Sequence, residues 1–122
     1  MKKRIFRVRR RMNYVISELN NALFTVGCRE INVRLVREEQ GLRLYIQGEY
    51  APENQHSVER MAELLQPEIR SPALVETYGE LTGIEQYPSD GEIALVGQML
   101  SDAAVKITGN CVKMELFLSF QQ

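Results

Sequence analysis

The most constraining feature of this sequence is the stretch from Met12 to Gly48, where a helical pattern is followed at once by two strand patterns. Apolar residues recur first at three- and four-residue steps, which places them on one side of a helix: Met12, Val15, Ile16, Leu19, Leu23 and Val26. Gly27 predicts the end of this helix. Because a helix with one apolar side must bury that side, the chain needs a second apolar layer.

The residues that follow predict this second layer. Apolar and polar residues alternate in two runs separated by a break at residues 38–41, with the apolar positions at Ile31, Val33 and Leu35 and then at Leu42, Leu44 and Ile46. A period of two is typical of a strand with one buried face. We therefore expect a hairpin that is covered by the helix just before it.

The remaining sequence predicts further helices and a closing hairpin. The helices are expected over 58–65, over 71–83 with Ser71 as its cap, and from Ser89 or Asp90 onward. The last of them has one apolar face, made by Ile93, Val96, Gly97, Leu100 and Ala104. Strands near 105–107 and over 112–120 end the chain.

This order of elements predicts an α+β fold, a two-layer sandwich whose mixed or antiparallel sheet is covered by helices on one face. The main alternative is a ferredoxin-like fold, in which residues 4–8 form the first strand. The 122 residues, 44% of them hydrophobic, fit a single domain over 1–122. No apolar run is long enough to span a membrane and no secretory signal is recognisable, so we expect a cytoplasmic protein with no membrane contact.

Charge is distributed unevenly. Seven of the fifteen Lys and Arg residues lie in the basic arm, residues 1–11, whereas all sixteen acidic residues follow it. The arm is predicted to be either a short edge strand or the beginning of the first helix. Clustered arginines suit nucleic acid, but the acidic remainder of the chain would repel a polyanion. Contact with acidic helices of the same or a second subunit is therefore the preferred interpretation.

Residues suited to catalysis or metal binding are sparse. Cys28 and Cys111 have no CxxC spacing, which predicts two reduced structural thiols and leaves a disulfide between them open. His56 is expected to be exposed, and Glu76 and Glu80 to lie on a solvated helix face. The sequence predicts no catalytic residue and no metal site.

Two stretches resemble the ATP-binding domain of the GHKL superfamily, which includes histidine kinases, gyrase and the anti-sigma-factor kinases. Ser17–Leu23 is similar to the first helix of that family, E-x-x-x-N-A-L, and a hairpin follows it here as in the family. Gly91–Val96 resembles the family's G-x-G-L-x-L-V helix, and two strands again follow. The resemblance implies a histidine-kinase-like ATPase fold and a site for ATP with magnesium.

The nucleotide-binding residues that the resemblance implies are only partly present. Asn21 stands where the family has its magnesium-binding Asn, but Ser17 replaces the acid that activates water, and a hydroxyl cannot be a general base at neutral pH. Glu18 is one step off that position. Residues 47–51 lack the family's D-x-G-x-G, and Glu92 replaces a glycine of the phosphate loop, which sets a negative charge against phosphate.

The expected function is therefore that of a non-catalytic regulatory or protein-interaction domain with a degraded nucleotide site and no cofactor. Its partner is expected to be a protein, with a homodimer through the basic arm and the acidic helices as one form. One alternative is a working ATP-binding domain or small anti-sigma-type kinase, in which Asn21 and Ser17 contact the nucleotide and its magnesium. A nucleic-acid-binding module is a weaker alternative. If the chain does not bind nucleotide, Asn21 is simply a polar residue on a solvated helix face.

Overall fold

The computed structural model describes residues 2–66 and 89–121. Its elements, in chain order, are α1 (Lys2–Thr25), β1 (Ile31–Arg37), β2 (Gly41–Glu49), a 3-10 turn (Pro52–Asn54), α2 (Gln55–Leu65), α3 (Ser89–Met99), β3 (Asp102–Thr108) and β4 (Cys111–Ser119). The helix predicted over 71–83, with Glu76 and Glu80, lies outside the described residues.

The four strands form one sheet in the order β1-β2-β4-β3, and every neighbouring pair is antiparallel. β1 and β2 form one hairpin, β3 and β4 form the other, and the two hairpins join through the pairing of β2 with β4. The described helices pack on one face of this sheet, so the predicted two-layer α+β sandwich is confirmed. The ferredoxin-like alternative is wrong, because residues 4–8 belong to α1 and not to a strand.

The first helix begins at Lys2, well before Met12, so the basic arm is the beginning of α1 and its interpretation as an edge strand is wrong. The apolar side of the helix extends into the arm because Val8 lies one turn before Met12, and both are buried. In a strand, Phe6 and Val8 would share one face and alternate with Arg7, yet Phe6 is 59% exposed. The helical period therefore overrides the short alternation.

The end of α1 is fixed by a glycine. Gly27 has a φ of +101°, which glycine adopts without strain. Its N–H donates to the Phe24 carbonyl at 3.1 Å, and the N–H of Cys28 donates to the Leu23 carbonyl at 3.0 Å. These two bonds make a Schellman motif, with the buried Cys28 and Leu23 as its apolar pair.

The helix-facing side of the sheet, which we call the inner face, forms the core. It is built from alternate residues of the two central strands, all of them buried: Leu42, Leu44 and Ile46 from β2, and Val112, Met114, Leu116 and Leu118 from β4. The buried residues of α1 pack against this set. The apolar pattern predicted for α1 and for these strands is confirmed.

Within residues 2–66 and 89–121, the cover predicted for the first hairpin is incomplete. Val33 and Leu35 lie on the inner face, yet they are 43% and 46% exposed. The reason is geometric, because α1 contacts β2 and β4, and a helix about 10 Å wide covers only about two strands spaced about 4.8 Å apart. The edge strand β1 is therefore left at the margin of the helical layer.

The helices α2 and α3 pack on each other and complete the described helical layer. The apolar pattern predicted for α2 consists of Val58, Met61, Ala62 and Leu65. Val58, Met61 and Leu65 are buried, whereas Ala62 is half-buried. In α3 the apolar face ends earlier than expected, because Ala104 lies in β3 and is exposed. Among the described residues, no helix combines the length and the apolar character that crossing a membrane requires.

Candidate functional site

The two residues implied to contact nucleotide, Ser17 and Asn21, lie one turn apart on α1, and both are exposed. The main-chain carbonyl of Asn21 accepts a hydrogen bond from Thr25 Oγ1 at 2.8 Å. Neither side chain borders the two concavities described below. The neighbouring Asn20 is half-buried, and its Oδ1 has no hydrogen-bond partner among the described residues.

Two carboxyl groups meet where α1 packs on α3. Glu18 and Glu92 share a hydrogen bond, which together with burial and the negative charge of Glu92 raises the pKa of Glu18 to about 7. The pKa of the nearby Tyr14 is also raised, first by burial and then by the charges of Glu18 and Glu92. Near neutral pH this contact therefore holds a proton that an isolated carboxyl would have released.

Residues 47–51, where the resemblance to GHKL domains implies the D-x-G-x-G motif that reads adenine, make structural contacts instead. A Cβ on Gly48 would lie 3.0 Å from Cys28 Sγ and 3.0 Å from the Glu30 carbonyl oxygen, so a side chain here would press on both. Tyr50 is 1% exposed, and its hydroxyl donates to the Gly109 carbonyl at 3.1 Å. The N–H of Ala51 donates to the Val26 carbonyl at the end of α1 at 3.0 Å. This segment therefore joins the end of α1 to the β3–β4 turn.

The other residues considered from sequence do not form a reactive cluster. Both cysteines are free thiols, and burial followed by the charge of Cys111 raises the pKa of Cys28. His56 is fully exposed, 3.7 Å from Glu59, as predicted. Within residues 2–66 and 89–121, no group of three or more His, Cys, Asp or Glu side chains is arranged to hold a metal ion.

The side of the sheet away from the helices, which we call the outer face, carries polar side chains in ordered rows. One row crosses all four strands through Asn32, Gln47, Lys113 and Lys106. The next row crosses through Arg34, Tyr45, Glu115 and Ala104. These side chains line a concavity of about 730 Å³. In the described part of the chain no helix covers this face, as predicted for a sandwich with helices on one side.

The acidic group of this concavity is already paired. Glu115 lies 2.9 Å from Arg43, which is also 2.9 Å from Glu38 and stands over the Phe117 ring. The hydrogen bond to Glu38 and the charges of both carboxylates raise the pKa of Arg43 despite its burial. Glu115 is therefore already engaged by Arg43.

Three cations of the concavity have no acidic partner among the described residues: Arg34, Lys106 and Lys113. Arg34 stacks on Tyr45, with its guanidinium carbon 4.1 Å from the ring centre. Lys106 and Lys113 are directly opposite each other on β3 and β4. Like charges in this position repel, so the outer face has a local excess of positive charge.

Sequence reasoning identified the strands but missed both the carboxyl pair and the cationic concavity. A signal existed for each. Glu18 and Glu92 directly precede the buried Leu19 and Ile93, which puts each carboxyl at the margin of an apolar helix side. The lysines occupy polar positions of their strands, but only the register shows that they face each other.

A second, smaller concavity of about 490 Å³ adjoins the first through Asn32 and Gln47. Its lining includes Arg29, Glu30 and Glu49, so charges of both signs are present.

No protein-family model matches this chain, and no curated protein matches it. The resemblance to GHKL domains therefore stays a prediction that rests on the motifs quoted from the sequence.

Proposed function

We propose that this chain is a non-catalytic protein-interaction domain of the GHKL type, in which the nucleotide site has been lost and the sheet surface has become the working surface. The element order supports the family part of the proposal, because a helix and hairpin at the start and a helix and hairpin at the end are what the resemblance implies.

The observation that carries the proposal is the contact between Glu18 and Glu92. A nucleotide phosphate would have to bind beside the first helix and the beginning of α3, where family members place their phosphate loop. The resemblance puts Glu92 at that place, and Glu92 shares a hydrogen bond with Glu18. A negative charge at this position opposes phosphate by direct repulsion and offsets the attraction of a helix N-terminus.

Two further features support the loss of nucleotide binding. The position of the adenine-reading motif contains the buried Tyr50, whose hydroxyl and main chain are committed to the β3–β4 turn. The exposed Ser17 cannot replace the missing acid as a base for water. Hydrolysis therefore lacks its base. Nucleotide binding lacks both the adenine-reading motif and a glycine of the phosphate loop.

The interaction part of the proposal rests on the outer face. A sheet face that carries aligned cations and a wide concavity, without a covering layer in the described residues, suits recognition by another protein. The proposed setting is the cytoplasm, which agrees with the two free thiols.

The predicted homodimer through the basic arm and acidic helices is part of the same proposal. Arg7, Arg9 and Arg10 are exposed on α1, and Glu59 and Glu63 are exposed on α2. Both surfaces are therefore accessible for a contact of opposite charges, which high salt would weaken.

The test is a thermal-shift titration of the full chain with ATP or ADP and magnesium. We expect no increase in Tm with nucleotide concentration, because a ligand that binds only the folded state must raise Tm as its concentration rises. A titration with the variant Glu92→Gln is the matched control, since it removes the charge from the α3 side of the carboxyl contact.

A saturable rise in Tm for the natural chain would overturn the proposal and support the ATP-binding alternative. A rise for Glu92→Gln alone would support it, because that result would identify the carboxyl contact as the barrier to phosphate.

A further inference from the structure

We propose that the concavity of the outer face binds an acidic peptide segment of a partner protein, with the peptide's carboxylates over Lys106, Lys113 and Arg34. This inference deepens the proposed function, on which it rests, by naming the chemistry of the partner.

The lysine pair is the first argument. Antiparallel pairing puts the Cβ atoms of Lys106 and Lys113 about 5 Å apart, and like charges there destabilise a sheet. An acidic residue at either position would instead stabilise the pair. A carboxylate from a bound segment would lie between two ammonium groups and relieve their repulsion.

The pairing of Glu115 is the second argument. It is the acidic side chain that lines the concavity, and Arg43 holds it at 2.9 Å from the β2 side. Since Arg43 also engages Glu38, the trio forms its own network at one margin. The charges of Lys106, Lys113 and Arg34 are therefore left for a ligand.

The third argument concerns the shape and neutral groups of the site. The concavity extends over all four strands and includes the amides of Asn32 and Gln47 beside the lysines. Amide side chains both donate and accept hydrogen bonds, as a peptide main chain requires. Strand pairing fixes the main-chain positions of these residues before binding, which lowers the entropy cost of association.

An acidic peptide fits this surface better than a nucleic acid. Arg34 already stacks on one face of the Tyr45 ring, 4.1 Å from its centre, and so competes with a base for that face. Glu49 and Asp102 lie on the same face beyond the two ends of the cationic area, where a long polyanion would meet repulsion. A short acidic segment can place its charges over the lysines alone.

The test measures fluorescence anisotropy of a short labelled peptide of alternating glutamate and serine added to the full chain. We expect saturable binding that weakens as salt rises and that is absent for the matching glutamine–serine peptide. Lys113→Glu and Lys106→Glu should each weaken binding by about tenfold.

The matched control is Arg37→Glu. Arg37 lies on the same strand as Arg34 but on the opposite side of the sheet, because it pairs with the inner-face residue Leu42. The variant Arg37→Glu has the same change of charge as the lysine variants. We expect its affinity for the acidic peptide to stay within about twofold of that of the natural chain. Melting curves of all variants show whether a loss of binding comes from unfolding.

Three results would overturn the inference. The first is a failure of the charge argument: either the acidic peptide does not bind, or Arg37→Glu weakens peptide binding as much as Lys113→Glu does. The second is tighter binding of a single-stranded oligonucleotide, which would make the ligand a nucleic acid. The third is self-association in sedimentation that Lys113→Glu abolishes, which would make the occupant a second copy of this chain.

The two proposals can fail separately. Nucleotide binding would raise Tm in the thermal-shift titration and would leave the peptide titration unchanged. Failure of the peptide titration alone would leave the absence of nucleotide binding in place and would remove only the acidic partner.

Discussion

The inner and outer faces of the sheet are built from alternate residues of the same strands, yet different interactions hold them. On β4 the inner residues Val112, Met114, Leu116 and Leu118 are at most 3% exposed. Between them, Lys113 and Glu115 are exposed on the outer face. Burial of apolar area stabilises the first set, whereas the second depends on ion pairs and stacking near solvent, where each contact contributes little.

The difference teaches where this chain can carry function. Changes on the inner face cost stability because they leave cavities, so these positions have little freedom to evolve a binding role. The outer face carries a repulsive pair, Lys106 and Lys113, on strands that burial of apolar residues stabilises from the inner face. In the proposed function these charges serve recognition.

The largest expected effect comes from a buried residue of β4, and its exposed neighbour on the same strand is the comparison. Leu116→Ala should lower the free energy of unfolding by about 2–5 kcal/mol, because Leu116 is fully buried and its loss leaves a cavity. Glu115→Ala should cost less than about 1 kcal/mol, because Arg43 keeps Glu38 as its partner and the contact is near solvent. Urea denaturation of both variants measures the contrast, and equal losses would contradict the division between the faces.

A smaller effect is expected from pH at the contact of α1 with α3. The pKa of Glu18 is raised from 4.5 to about 7 in the folded chain, so the folded state binds this proton more tightly than the unfolded state does. Stability should therefore fall as pH rises from about 4.5 to about 7. We expect a loss of about 1 kcal/mol, less than the full shift implies, because solvent screens a half-buried carboxyl.

Melting curves across this pH range check the prediction, with Glu18→Gln as the comparison. The variant cannot lose the proton, so its Tm should depend less on pH than that of the natural chain. An identical pH dependence in both chains would assign the effect to other groups and remove Glu18 from the account.

The smallest expected effect has the opposite sign. Lys106→Glu should raise the free energy of unfolding by about 0.5 kcal/mol, because it converts a repulsive cross-strand pair with Lys113 into an attractive one. Lys106→Gln, which removes the repulsion without adding attraction, should give about half of that gain. Denaturant titration at low salt measures both, and a destabilised Lys106→Glu chain would break the argument that these lysines are retained against stability.

The fold could be predicted because its signals are local. The apolar side of α1, from Met12 to Val26, and the alternation in β2 and β4 specify which elements form and which sides they bury. The beginning of α1 was ambiguous because Ile5, Phe6 and Val8 suit a strand as well as a helix. The packing of Val8 beside Met12 in the core decides this in favour of the helix.

The candidate sites were less accessible from sequence because each depends on pairs distant along the chain. Glu18 and Glu92 meet only because α3 packs on α1, and Tyr50 reaches the β3–β4 turn only because β2 lies beside β4. The exposure of Val33 and Leu35 likewise depends on which strands α1 crosses. None of these contacts has a local pattern.

The sequence by itself determined α1 from Met12 onward and the buried sides of β2 and β4, because the periods of helix and strand fix which residues share a side. The tertiary structure alone decided the strand order β1-β2-β4-β3 and its register, and with them which charges stand together. The physical reason is range: periodicity acts over a few neighbouring residues, whereas Lys106 faces Lys113 and Glu18 meets Glu92 through the docking of whole elements.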